Sequence, residues 1–372
     1  MILQAMVSRT VELVEGKWSN GGVFDVYGDL NELTTLIVAS SLFGGTRTGA
    51  EDIAKVGPAI TAAFEYFARR ATSMFIGSVA NDDAVPEWVP TPDNVLYLSS
   101  VETLDRIVYD IIAQRRKALS SGLQQNTSAK DLLTRLLESV DLQATDEDGS
   151  SMDDRSLRDE LMTFLVAGQE TSAIQLTWSL VMLALNPRVQ SAIFTECTHV
   201  LGSKLPTYDD VPKLRYLEAF IWESMRLQPP AYIVGRCASE DTTLGDFDIN
   251  AGTTVLVSPY LLHRDPQYWS RARKFEPERW LPGGDARTHM ENDSYWPFGG
   301  GPRSCIGMGF AMMEVALVLA ITVSRFEIGL PAGASVPKPQ AMITLRPENE
   351  SQFMNISSVI IKSPRQPLYG MK

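Results

Sequence analysis

Residues 156–186 constrain the fold more than any other stretch of this 372-residue chain. Ser156 reads as an N-cap and Asn186 stands before Pro187, so the pattern predicts one uninterrupted helix. At about 1.5 Å per residue it is roughly 45 Å long. Leu161, Phe164, Leu165, Val166, Ile174, Leu176, Trp178 and Leu180 put apolar side chains on nearly every side of it. A helix of that kind has to run through the centre of the protein.

Other helices fit around it. Apolar residues at helical spacing mark 29–43, 51–79, 99–120, 129–140, 188–202 and 212–227, with Gly, Pro or Asp clusters between them. After Pro229-Pro230 the pattern changes to short strands and hairpins over 232–259, then a Pro- and Gly-rich coil over 275–307. An apolar helix (308–326) and a small β region (341–362) close the chain. The expected class is mainly α with small β regions (α+β). It is read as one domain over 1–372, helix-rich to 228 and β-containing from 229.

Composition removes several function classes. With 33 Lys and Arg against 45 Asp and Glu the net charge is −12, which argues against nucleic acid. Cys197, Cys237 and Cys305 form no CxxC pair, and His199, His263 and His289 are far apart, so neither a disulfide framework nor a structural zinc site is expected. The first residues lack a basic flank followed by an apolar core, so they are not read as a signal peptide. The most apolar stretch, 310–323, is too short to span a bilayer and contains Glu314. The chain reads as soluble, in a reducing compartment, without a membrane span. His199 and His289 read as surface residues, Cys197 and Cys237 as small core residues.

The chemistry concentrates in Phe298-Gly-Gly-Gly-Pro-Arg-Ser-Cys-Ile-Gly307. These residue types make sense together if Cys305 binds an iron porphyrin. Glycines at 299–301 and 307 let backbone N–H groups approach the thiolate, and Phe298 shields it from water. Arg303 can pair with a carboxylate. A helix starting just after Cys305 brings its positive end to the sulfur. The plainer reading is a Gly-rich turn around an inert cysteine. A phosphate loop is a third, but no Gly-Lys-Ser/Thr follows.

This loop resembles the signature of the cytochrome P-450 family. Glu223-Ser-Met-Arg226 resembles its Glu-x-x-Arg pair. Phe275-Glu-Pro-Glu-Arg-Trp280 resembles its Pro-Glu-Arg-Phe element, with Trp280 in place of Phe. Ala167-Gly-Gln-Glu-Thr-Ser172 resembles the oxygen-activating stretch of its long central helix. The resemblance implies the cytochrome P-450 fold and a haem-dependent monooxygenase. Such an enzyme inserts one atom of O2 into a small apolar organic substrate, with electrons from NAD(P)H through a reductase or ferredoxin. It implies heme b (iron protoporphyrin IX) ligated by Cys305, with Phe298, Gly301, Arg303, Gly307, Arg236, Ala167 and Gly168 about the cofactor. Glu170 and Thr171 are its acid–alcohol pair for proton delivery. Glu223, Arg226 and Arg279 form a structural network, and Phe164, Val234 and Phe353 stand at substrate positions. His263 reads as a packing and turn element.

The sequence departs from the family at its beginning. No anchor helix, first small sheet or Trp-x-x-x-Arg pair is recognisable ahead of Trp18, so the fold reads as N-terminally incomplete. A longer parent could be anchored at the endoplasmic reticulum. The alternative function is a truncated haem-binding protein without activity. A haem-thiolate isomerase or dehydratase is a third reading, against which Glu170 and Thr171 speak.

Overall fold

The structure is a computed structural model that describes residues 2–44, 50–76, 85–121, 131–138, 152–291, 293–348 and 358–362. Contacts divide the chain into two compact units. One comprises Met1–Lys17 with Tyr27–Ala173, the other Trp18–Val26 with Ile174–Lys372. The change of sequence character at residue 229 is therefore not where the units divide. Phe353 lies outside the described residues.

The first unit is helical: α1 (Ile2–Glu15), α2 (Val26–Phe43, from Tyr27), α3 (Ala50–Ile76), α4 (Pro92–Ser120), α5 (Leu132–Glu138) and the first part of α6 (Asp154–Leu185). Helix α4 starts well before residue 99. The Thr91 side chain accepts the Asn94 N–H at 3.2 Å and Pro92 occupies the first turn, which together make a strong start signal. Helix α6 likewise begins before Ser156, because the Asp153 carboxylate accepts the Ser156 N–H at 2.7 Å. The buried Arg115 guanidinium ties α4 to the segment leading into α5, with Asp131 at 2.6 Å and the Phe43 carbonyl at 2.7 Å.

Burial along α6 refines the expectation for the central helix. Residues 172–183 are all buried. Before them only the stripe Leu157, Leu161, Leu165 and then Gln169 and Glu170 is buried, while Thr163 and Ala167 are exposed. The N-terminal half is therefore amphipathic, and full enclosure is confined to the C-terminal half.

In the second unit α7 (Pro187–Leu201), α8 (Arg215–Leu227) and α11 (Met308–Arg325) pack together. Strands are short and antiparallel. β1 (Gly22–Asp25) pairs with β9 (Ser358–Lys362), which also pairs with β6 (Glu327–Gly329), bringing the two ends of the sequence into one sheet. β2 (Val234–Cys237) pairs with β5 (Thr254–Val257), β3 (Thr242–Leu244) with β4 (Phe247–Ile249), and β7 (Pro339–Ala341) with β8 (Leu345–Pro347). Two short helices, α9 (Pro259–Leu262) and α10 (Ala286–Glu291), interrupt the coil that follows β5. Trp18, fully buried, leans on Phe24 with ring centroids 6.2 Å apart. Helix α11 is apolar enough to resemble a membrane span, yet every residue from Glu314 to Ser324 is buried, which marks a core helix.

Helix α2 approaches α6 closely at Gly168, where a Cβ would lie 3.1 Å from Val38 Cγ2. Gly168→Val should overpack this crossing and destabilise the protein by about 1–3 kcal/mol, measured as a lower urea midpoint.

Candidate functional site

Cys305 carries a free, exposed thiol. Its N–H donates to the Phe298 carbonyl at 2.9 Å, closing the loop on itself. Gly301 has φ of 65°, a left-handed conformation that glycine adopts without strain. At Gly300 the requirement is space: a Cβ would sit 2.7 Å from the Trp296 indole nitrogen. Gly307 differs from the expectation. Its φ is −86° and a Cβ there would meet Cys305 Sγ at an ordinary 3.7 Å, so the conformation does not demand glycine. Gly307 is the N-cap of α11, so the sulfur lies against the helix end where the dipole favours negative charge.

Phe298 is partly buried beneath the loop, edge-on to Trp222 with centroids 6.0 Å apart. Arg303 is exposed in a single 3-10 turn, Gly301–Arg303. Arg236 is exposed on β2, where its side chain bonds the Gly235 carbonyl at 2.8 Å. Among the described residues neither guanidinium forms an ion pair. Val234, also on β2, is partly buried and paired with Val257.

These features fit an iron porphyrin. Among the described residues no three His, Cys, Asp or Glu side chains gather to hold a metal. A metal held here through one thiolate must bring most of its own ligands, as porphyrin iron does. Two exposed, unpaired guanidiniums suit its two carboxylates, and Ile306, 88% exposed beside the thiol, offers apolar surface.

The support behind the loop is a buried charge cluster. Arg226, fully buried, grips Glu223 through Nε–Oε2 at 2.9 Å and Nη2–Oε1 at 2.8 Å. Its remaining donors reach the carbonyls of His263 (2.7 Å), Ala272 (2.6 Å) and Lys274 (2.8 Å). Glu223 also accepts the Glu276 N–H and the Trp280 indole N–H, each at 2.9 Å. Arg279 forms a looser ion pair with Glu223 at 3.6 Å, without a hydrogen bond, and a closer one with Glu276 at 2.9 Å. The indole of Trp280, the residue that departs from the family's Phe, thus completes the shell of Glu223.

His263 is fully buried, and its Nε2 accepts the Trp296 N–H at 2.7 Å. Burial, with the charges of Arg226 and Arg264, pulls its pKa down to about 3. His289 is buried as well, stacked on Trp269 at 3.8 Å, rather than at the surface. Cys237 is exposed rather than in the core, since it lies on an open strand. Cys197 is buried, and burial beside Glu196 pushes its thiol up to about 12.

In the first unit, α6 separates the acid from the alcohol. Glu170 is fully buried and accepts a hydrogen bond from the Tyr27 phenol at 2.9 Å, a contact 143 residues apart that no local pattern signals. The Thr171 hydroxyl donates to the Ala167 carbonyl at 2.7 Å. Ala167 is exposed and Thr171 partly so, whereas Ser172 is buried and Gly168 faces Val38. Ala167, Gly168, Thr171 and Ser172 are therefore split between an open side and a packed side. Phe164 is partly buried one turn earlier.

Two consequences can be measured. Trp280→Phe removes one donor from a buried carboxylate and should lower stability by about 1.5–3 kcal/mol in urea unfolding. His263 stays neutral in the folded state while the unfolded state gains a proton below about 6.5. Its contribution is fully present above that pH and is lost as pH falls toward about 3, by up to about 1.4 kcal/mol per pH unit. His263→Gln keeps an acceptor for Trp296, does not titrate, and should flatten the fall of the urea midpoint across that window.

The Cytochrome P-450 family model matches residues 2–353. A cyclooctatin synthase of Streptomyces melanosporofaciens is 33% identical over 92% of this chain and 70% of its own length. A cyclooctat-9-en-7-ol 5-monooxygenase from the same organism is 32% identical over 87% of this chain and 66% of its own. A pentalenene oxygenase of Streptomyces avermitilis is 30% identical over 90% and 69%. The chain thus spans about two thirds of the length of these relatives. The heme domain of a cytochrome P450DA mutant superposes with a TM-score of 0.77 and 24% identity, over 100% of this chain and 75% of that one. The chain belongs to the cytochrome P-450 family and is a haem monooxygenase, using O2, an organic substrate, a redox partner and a haem with a cysteine thiolate ligand.

Proposed function

We propose that this chain works as one catalytic domain that oxygenates a cyclic, largely hydrocarbon substrate, with Cys305 as its thiolate ligand. The observation that carries the ligand assignment is the exposed Cys305 thiol, held by the 298–307 loop at the N-terminal end of an 18-residue helix. The pentalenene oxygenase and the cyclooctat-9-en-7-ol 5-monooxygenase among the relatives support the substrate class. Electrons come from NAD(P)H through a ferredoxin or reductase.

The bound haem supplies the oxygen chemistry, and the chain's own residues hold it and move protons. Arg303 and Arg236 would each hold one of its carboxylates, and their being exposed, with no ion pair among the described residues, supports this. Phe298 keeps water from the thiolate side, propped by Trp222. Glu170 carries protons and Thr171 positions them. The Thr171 hydrogen is engaged by Ala167, so its oxygen is the atom left to accept a hydrogen bond. Phe164, Val234 and Phe353 are assigned to substrate contact.

The first test is the spectrum of the haem-loaded, reduced chain with carbon monoxide. A red-shifted Soret band, lost in Cys305→His, is expected; a histidine-like band in the unaltered chain would sink the ligand assignment. Under turnover, Thr171→Ala should divert O2 from product to peroxide, cutting coupling by roughly tenfold or more. For the substrate class, pentalenene should displace water and shift the ferric spectrum at lower concentration than a linear fatty acid does; the reverse order would refute it.

A further inference from the structure

A group that carries protons repeatedly must be recharged from water, and Glu170 has no exposed surface. A neighbour that can connect it is Tyr27. Its phenol donates to Glu170 Oε2 at 2.9 Å, and the phenol oxygen lies 3.4 Å from the Asn31 amide nitrogen. Tyr27 itself is only partly buried. Its place is fixed by α2, which is pinned to the same stretch of α6 at two further points. Thr34 Oγ donates to the Gln169 carbonyl at 3.0 Å, and Val38 fills the space that Gly168 leaves open. Adjacent helical residues diverge by about 100°, so the acid faces α2 while Thr171 keeps its bond to Ala167 on a more open side.

We propose that Tyr27 is the solvent-side member of the proton path that recharges Glu170. The phenol O–H bond breaks as an O–H bond forms at Glu170 Oε2, while the phenol oxygen takes a proton from a water whose own O–H bond breaks and which is reprotonated from bulk solvent. One proton enters and one leaves, so the phenol ends neutral and no electron moves. Tyr27 acts through Glu170 and is a positioning residue. The inference rests on the reading of Glu170 and Thr171 as the acid–alcohol pair.

The test is Tyr27→Phe in the haem-loaded chain, which keeps the ring and removes the hydroxyl. Oxygen consumption is driven by a ferredoxin and its reductase without added organic substrate. The carbon monoxide spectrum should stay as in the unaltered chain, while the unfolding midpoint should fall as loss of one donor to a buried carboxylate requires. Peroxide released per O2 consumed should rise toward one as the share of O2 reduced to water falls by roughly 3- to 10-fold, and the D2O effect on O2 consumption should grow. Isotope-edited infrared bands of the Glu170 carboxylate should shift with loss of the phenol hydrogen bond. An unchanged peroxide ratio and D2O effect, with the spectrum intact, would overturn the proposal. Glu170→Gln and Thr171→Ala run in parallel. If neither raises peroxide, the acid–alcohol reading itself fails; if both do and Tyr27→Phe does not, only Tyr27 is wrongly placed. Should Tyr27→Phe lose haem, fluorotyrosine at position 27 keeps the shape and makes the phenol a stronger acid. It should then alter the D2O effect, and an unaltered one counts against the path.

Discussion

A guanidinium removed from water must find partners for all five of its N–H groups, or the charge is too costly to keep. Arg226 does so by spending two donors on Glu223 and the rest on three backbone carbonyls, those of His263, Ala272 and Lys274. The coil that supplies them contains no strand, so its carbonyls have no ladder to join and need another donor. One side chain of α8 therefore does for this coil what a sheet does elsewhere. The same helix props the cysteine loop, because Trp222, the neighbour of Glu223, carries the Phe298 ring. Fixing α8 fixes both, and the position of Cys305 follows from Phe298 through the loop's own hydrogen bond.

The surroundings of that charge are aromatic for a physical reason. Trp269, Trp280, Trp222 and Tyr295 interlock around it, and the Arg226 guanidinium lies over the Trp269 ring at 5.0 Å. Ring faces stabilise a cation without bringing competing charge, while indole and phenol edges donate to oxygens. Trp280 gives its N–H to Glu223 and Tyr295 its hydroxyl to the Trp222 carbonyl, at 2.8 Å. His263 completes the enclosure by remaining neutral, since burial disfavours its charged form and a second cation beside Arg226 would be repelled. A close packing of charge and rings of this kind is stiff, which suits a support for the proposed metal ligand.

What the sequence disclosed depended on how local the information was. The cysteine loop is ten consecutive residues, and its residue types can be matched to chemistry without knowing the fold. Glu223 and Arg226 share one helical turn and were equally legible. Trp280 was visible as a departure from the family, but its hydrogen bond spans 57 positions and could not be read from spacing. Tyr27 carries no local signal, because the helix that presents it is brought to Glu170 by packing alone. Errors came from the same source. His289 looked like a surface residue until Trp269 was found stacked on it, and Cys237 looked like core although its strand is left open. Ser156 was a reasonable cap, but the Asp153 carboxylate reaches its N–H and starts the helix earlier.

The acid–alcohol motif shows how far a motif stops short of an arrangement. Glu170 and Thr171 are adjacent, and helical geometry alone sends adjacent side chains in directions about 100° apart. A direct exchange between them requires one side chain to turn. The β-branched threonine is stiff and already bonded to Ala167, whereas glutamate has three rotatable bonds and a partner, Tyr27, at its tip. The acid is therefore the more movable member, and one group that holds it, the Tyr27 phenol, belongs to α2. Small residues in the motif take on different tasks under that constraint. Ala167 leaves the open side clear, while Gly168 lets α2 come close enough for its phenol to reach the carboxylate. Residues 167–172 thus present two faces, and the proton delivery we propose would depend on the side chain that passes between them.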